Sequence, residues 1–183
     1  MDEKGIQLGL GKRVRAIVDR SLRTVRSVEY GKKDLVTILE TVCADGTVLH
    51  PTVVFKGKRR DLRWAEENPA DARFLAVSPN GWTDQELGSL WMETDFEPAA
   101  RARNPNNGYR LLILDGHNSH CTYRFLDFAD RHDIIVLCLP AHTTHALQPC
   151  DVGVFGPLAQ KWKALVTSLG LRISHITRYV CLL

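Results

Sequence analysis

The sequence predicts an α/β domain, a mixed sheet flanked by helices. Three observations carry this. Short runs rich in β-branched residues fill the first part of the chain, two all-apolar runs follow at 110–114 and 134–139, and stretches of helical spacing separate and follow them. The 183 residues suit one domain, so 1–183 is read as a single unit.

In order, residues 13–19 (RVRAIVD) put Val14, Ala16 and Val18 on alternate positions, as a half-buried strand does. Residues 34–43 (DLVTILETVC) form a second strand. Residues 47–55 (TVLHPTVVF) return as a third after the turn signal Ala44-Asp45-Gly46, which makes a hairpin. The basic loop Gly57-Lys58-Arg59-Arg60 closes it. Helical spacing covers 64–74 and 84–103, the latter with Leu87, Leu90, Trp91 and Phe96 on one side. Thr83 stands three residues before Glu86, which predicts a capping box.

The run 110–114 (RLLIL) has the unbroken apolar character of a central strand covered on both faces. Residues 122–131 read as an amphipathic helix with Phe125, Leu126 and Phe128 inward. Residues 134–139 (IIVLCL) form a further buried strand, with Cys138 inside it, closed by Pro140. Together 110–139 make a βαβ unit. The last helix covers 156–169, with Leu158, Trp162, Leu165 and Val166 at three- and four-residue steps.

The net charge of +3 conceals an asymmetry: residues 1–60 carry +6, 61–100 carry −7 and 101–183 carry +4. Such a pattern suits a polyanion-binding face and equally a solvated surface. The five cysteines show no CxxC spacing and read as reduced, mostly buried thiols. No apolar run approaches the roughly 20 residues of a membrane span. No charged leader precedes an apolar block, so the expectation is a cytosolic or nuclear protein without membrane contact.

Asp115 follows RLLIL directly, at the carboxyl end of a central strand, where α/β sheets bind ligands. Asp151 comes thirty-six positions later, just before the last helix, and Asp2 is a third acid. Clustered carboxylates repel one another, and a hard divalent cation with oxygen ligands relieves that repulsion. An Asp after a strand is also a common turn former or helix cap, so spacing alone leaves both readings open. His117 with His120 and His142 with His145 form two HxxH pairs, which read as cleft-lining groups with zinc as the rival. Lys12, Arg13, Arg15, Lys56, Lys58, Arg59 and Arg60 could meet phosphates or only solvent. Ser119 lacks the GxSxG elbow of a nucleophile.

Three blocks carry a resemblance. MDEKG at 1–5, LLILDGHNSH at 111–120 and IIVLCLPAHTTHALQPCDVGVFGPLAQKWK at 134–163 resemble the DDE superfamily endonuclease domain of pogo/Tigger-type transposases, relatives of centromere protein B and the jerky proteins. TVLHPTVVFKGK at 47–58 and SPNGWTDQELGSLWM at 78–92 extend the resemblance over nearly the whole chain. Cys150 stands where a leucine is commoner, and Ala141 where a second proline is commoner.

The resemblance implies a ribonuclease H-like fold in which three acids hold two Mg²⁺ (or Mn²⁺) ions and cut and join DNA phosphodiesters. The acids match Asp2 in MDEKG, Asp115 in LDGH and Asp151 in QPCDVGVF, with thirty-five residues between the last two. It also implies DNA as partner, a homo-oligomer on DNA, a nuclear location, and contacts to DNA from the basic residues and four histidines named above. Relatives carry helix-turn-helix modules ahead of this domain, and none is expected within this chain. The strand presenting Asp2 is expected ahead of it, so the domain is expected to be truncated at both ends and weakly active or inactive. The alternative is a domesticated or decayed, non-catalytic nucleic-acid-binding protein that keeps the fold.

Overall fold

Residues 35–40 (LVTILE) have apolar side chains on both faces and so need cover on both, which a central strand receives. In the computed structural model of the chain, which describes residues 1–7, 35–59, 72, 74–116, 121–140 and 143–170, they form β2 (Leu35–Glu40) of a four-stranded sheet. The other strands are β1 (Asp2–Gln7), β3 (Thr52–Lys56) and β4 (Phe74–Ser78), in the order β1-β2-β3-β4. The first two pairings are antiparallel and the third is parallel. Then come α1 (Gln85–Trp91), a π-helical turn (Met92–Phe96) and α2 (Glu97–Ala102). The βαβ unit follows as β5 (Arg110–Asp115), α3 (Tyr123–Arg131) and β6 (Ile134–Leu139), its strands parallel. A short α4 (Thr144–Leu147), a second π turn (Cys150–Val154) and α5 (Phe155–Gly170) complete the described chain.

One hydrophobic core joins the two sheets. Met1, Leu39 and Val54 of the first meet Leu112 and Leu114 of β5, with Trp91, Met92, Phe96 and Phe125 from the helical side. The opposite face of the first sheet buries Val36, Val53 and Phe55, and Trp162 of α5 packs there. Alternate residues of β3 therefore serve the two layers, as a two-residue period requires. The Met1 nitrogen donates to the Ile113 carbonyl at 2.8 Å, which sets the start of β1 beside the end of β5.

The hairpin turn forms as expected. Gly46 has φ +83°, open to glycine at no steric cost, and Asp45 Oδ1 accepts from the Thr47 N–H at 2.9 Å. Its second strand starts later than expected, at Thr52, because only a single bridge, Val42 to Val48, links the chain beyond the turn. The helix expected over 84–103 is one helical stretch interrupted by a π turn, and its cap is Asp84, whose Oδ1 accepts from the Leu87 N–H at 2.9 Å. Thr83, the expected cap, is buried with its hydroxyl unbonded. Phe74, expected to end a helix, begins β4, and Ala72 is not helical; the rest of that helix and the strand at 13–19 lie outside the described residues.

Three burial expectations are corrected. Among the described residues, β5 and β6 are covered on one face only: Leu111, Ile135 and Leu137 are exposed, while Leu112, Leu114 and Ile134 face α1 and α3. Leu126 of α3 is exposed and Ala129 takes its place inward. Cys138 is exposed, because it lies at the carboxyl end of the ladder where α3 has only begun.

Candidate active site

Asp2 is the first residue of β1, which runs on from it to Gln7. Pairing with β2 fixes it: Asp2 lies across from Glu40 in the antiparallel register. Its carboxylate is buried and accepts from the Glu3 N–H at 2.8 Å. Asp115 is the last residue of β5, half-buried and across from Leu139 of β6. Asp151 sits in the second π turn, half-buried. Such turns displace one residue from the regular helical face, and they recur at functional sites.

Two further residues tie these segments together. Lys4, on the same face of β1 as Asp2 by the two-residue period, places Nζ 3.8 Å from Asp151 Oδ1 and 5.4 Å from the centroid of the Phe155 ring. Gln148 is fully buried and its Nε2 donates to the Met1 carbonyl at 2.8 Å. Residues 1–4, the end of β5 and 148–155 thus converge on one edge of the fold.

The electrostatics of that edge are those of crowded anions. The Asp2 carboxyl is pushed up to about 6, first by burial, and the carboxylates of Asp151 and Asp115 push it the same way. The Glu3 backbone N–H and the Gln148 side chain oppose the shift. Glu40 is raised as well, by burial. Among the described residues, no group of three His, Cys, Asp or Glu side chains is already arranged to hold a metal ion. The donor chemistry nonetheless suits a hard cation: three carboxylates, two of which act on the third, with one ammonium beside Asp151.

Of the other residues singled out in the sequence, Lys58 and Arg59 are exposed in the loop after β3, and Lys56 is exposed at the end of that strand. His145 lies in α4. Lys12, Arg13, Arg15, Arg60, His117, His120 and His142 lie outside the described residues. Sequence reasoning missed Lys4, Gln148 and Glu40. Lys4 was visible in principle as the residue two after Asp2, and Gln148 as the head of the QPCD block. Glu40 needed the β1–β2 register.

The sequence matches the DDE superfamily endonuclease family over residues 32–174. It is 33% identical over 184 residues to a protein of Cochliobolus lunatus named "MFS-type transporter clz9", an alignment covering 97% of this chain and 19% of that protein. The chain spans about a fifth of that relative, whose name describes the whole of it. Among the described residues of this chain, no helix is long and apolar enough to cross a membrane.

Two solved structures share the fold. One is the Mos1 transposase paired-end complex with left transposon end, with TM-score 0.57, 13% identity, and coverage of 98% of this chain and 48% of that one. The other is the Mos1 strand transfer complex, with TM-score 0.53, 17% identity, and coverage of 87% and 39%. The chain spans less than half of each. The fold is therefore of the ribonuclease H-like kind that the resemblance implied, with its described strands in a four-stranded mixed sheet and a two-stranded parallel one, flanked by helices. The chain belongs to the DDE superfamily endonuclease family.

Proposed function

We propose that the chain is the catalytic domain of a transposase-derived DNA endonuclease and strand-transfer protein, with Asp2, Asp115 and Asp151 as its three acids. The observation that carries this is the convergence of acids from positions 2, 115 and 151 on one edge: the Met1 nitrogen donates to the Ile113 carbonyl, Gln148 donates to the Met1 carbonyl, and the Asp2 carboxyl, raised first by burial, also feels Asp151 and Asp115. Perturbed acids gathered in one place mark functional sites. In this reading the three carboxylates hold two Mg²⁺ or Mn²⁺ ions. When bound, such ions activate the attacking oxygen and neutralise the departing one in phosphodiester cleavage.

The protein's own part is to hold the acids. The β1–β2 ladder fixes Asp2, the end of β5 fixes Asp115, and the Gln148 tether to Met1 keeps the Asp151 turn beside them. Lys4 keeps one cation at Asp151. DNA is the proposed substrate, bound as a homo-oligomer in the nucleus, with Lys56, Lys58 and Arg59 among its phosphate contacts. The paired-end and strand-transfer complexes of the Mos1 neighbours support that reading of the partner.

The test is nicking of supercoiled plasmid in Mn²⁺ by the chain and by Asp2→Asn, Asp115→Asn and Asp151→Asn. Nicking lost in all three variants is the expected result, and nicking that survives in any of them overturns the assignment of that acid. One observation favours a second reading, a non-catalytic DNA-binding protein: Lys4 already occupies the flank of Asp151. Salt-sensitive DNA binding with no nicking by the unsubstituted chain would select it.

A further inference from the structure

We propose that Cys121 and Cys138 form a reversible disulfide that fastens the start of α3 to β6 beside the acidic edge. Their sulfurs lie 3.7 Å apart, both residues are exposed, and they come from different elements. Cys121 immediately precedes Thr122, the N-cap of α3, whose hydroxyl accepts from the Phe125 N–H at 3.2 Å. Cys138 lies across from Leu114, the neighbour of Asp115, in the parallel β5–β6 register. A sulfur–sulfur bond of about 2.0 Å needs an approach of less than 2 Å, within reach of side-chain rotation.

The chemistry assigns the two sulfurs different roles. With a small-molecule disulfide as oxidant, the Cys121 thiolate attacks one of its sulfurs and expels a thiolate, which leaves a mixed disulfide on Cys121. Cys138 then gives its proton to solvent and attacks the Cys121 sulfur, and the second small thiol departs. Two protein thiols are oxidised and one small disulfide is reduced to two thiols. Cys138 suits the second step: its thiol is pushed up to about 11, by desolvation first and then by the contact with Cys121 and the charges of Cys121 and Asp115.

The other described cysteines are placed elsewhere. Cys150 is buried against the Glu40 carbonyl, and Cys43 accepts from the Arg103 guanidinium at 3.2 Å. The bridge stands whether or not the acids act on DNA.

The test incubates the full chain with excess oxidised glutathione, blocks remaining thiols by alkylation, and maps the digest by mass spectrometry. The expected product is a Cys121–Cys138 linked peptide, lighter by two hydrogens and split by dithiothreitol. The oxidised chain should melt about 5–10 °C above the reduced one, because the bridge constrains the unfolded chain. Cys121→Ser and Cys138→Ser should each abolish the linked peptide and the shift. Thiols that both stay open to alkylation, a glutathione adduct that stalls on Cys121, or a bridge from either residue to Cys43 each overturn the proposal. The peptide map of the unsubstituted chain separates these outcomes by itself, even where a serine variant fails to fold.

Discussion

The β5–β6 ladder has two ends that treat charge in opposite ways. At its carboxyl end Asp115 adds its charge, with that of Asp151, to the burial that chiefly raises the Asp2 carboxyl. At its amino end Arg110 opens β5 with opposite charges paired. Its Nη1 lies 3.2 Å from Glu97 Oε1, its Nη2 donates to the His132 carbonyl, and Arg101 adds a second cation 3.8 Å from Glu97. A cavity of about 150 Å³ opens there among Glu97, Arg101, Arg110, His132 and Asp133. Next to it, Arg131 pairs with Asp127 one turn back on α3. Both ends are built on one ladder, so strand geometry does not explain the difference. The amino end pairs its buried acid with two arginines, and the carboxyl end gathers three acids with the Lys4 ammonium beside one of them.

That contrast can be broken at the paired end first. Arg110→Met removes the guanidinium from the buried Glu97 carboxylate and leaves the more distant Arg101 as its partner. The loss should be about 3 kcal/mol, the cost of stranding one member of a buried pair. Urea unfolding at pH 7 measures it. A loss below about 0.5 kcal/mol would mean that the paired end does not hold the ladder together.

At the other end, adding positive charge should help. Mn²⁺ at a hundredfold excess over its dissociation constant should stabilise the chain by about 2.7 kcal/mol, read as a rise in melting temperature. Asp115→Asn should abolish the rise. A rise with Zn²⁺ and none with Mn²⁺ or Mg²⁺ would move the metal from the carboxylates to the histidines.

The gathered acids have a pH signature. The folded Asp2 carboxyl titrates at about 6 against 3.8 in the unfolded chain, so the folded state holds its proton more tightly. Its contribution is therefore most favourable below about pH 4, declines as pH rises through 6, and is flat above. After allowance for solvent screening, the decline is about 1–2 kcal/mol. Asp2→Asn should remove that slope and leave the chain more stable at pH 8 in the absence of metal. A variant less stable at pH 8 would show that the Asp2 charge supports the fold.

Much of this architecture is legible in the sequence. β6 runs over 134–139 as expected, bounded by the left-handed Asp133 on one side and Pro140 on the other. Local signals of this kind survive any tertiary context. β4 is not legible: FLAVS continues an apolar pattern that suits helix or strand, and the parallel partner that decides for strand is β3, about twenty residues earlier. The one-sided exposure of β5 and β6 is hidden for a similar reason, since an apolar run does not reveal whether one face or two will be covered. At the site, Asp115 and Asp151 stand in long motifs. Lys4 and Glu40 acquire meaning only through the register of β1 on β2 and the approach of the π turn. Sequence names the acids more readily than it names what surrounds them.

Lys4 gives the smallest effect and the finest discrimination. Its pair with Asp151 is partly exposed, so Lys4→Gln should change stability without metal by less than about 1 kcal/mol. Its ammonium competes with any divalent cation for the same carboxylate. Removing a unit charge about 5 Å from a doubly charged ion, in a water-like dielectric, is worth about 1.7 kcal/mol and should tighten Mn²⁺ binding by roughly fifteenfold. Isothermal titration of Mn²⁺ into both proteins reads the change directly. Weaker binding in Lys4→Gln would give Lys4 the opposite role, an anchor that aims the Asp151 carboxylate, and the two ends of the ladder would then share one device, a cation that positions an acid.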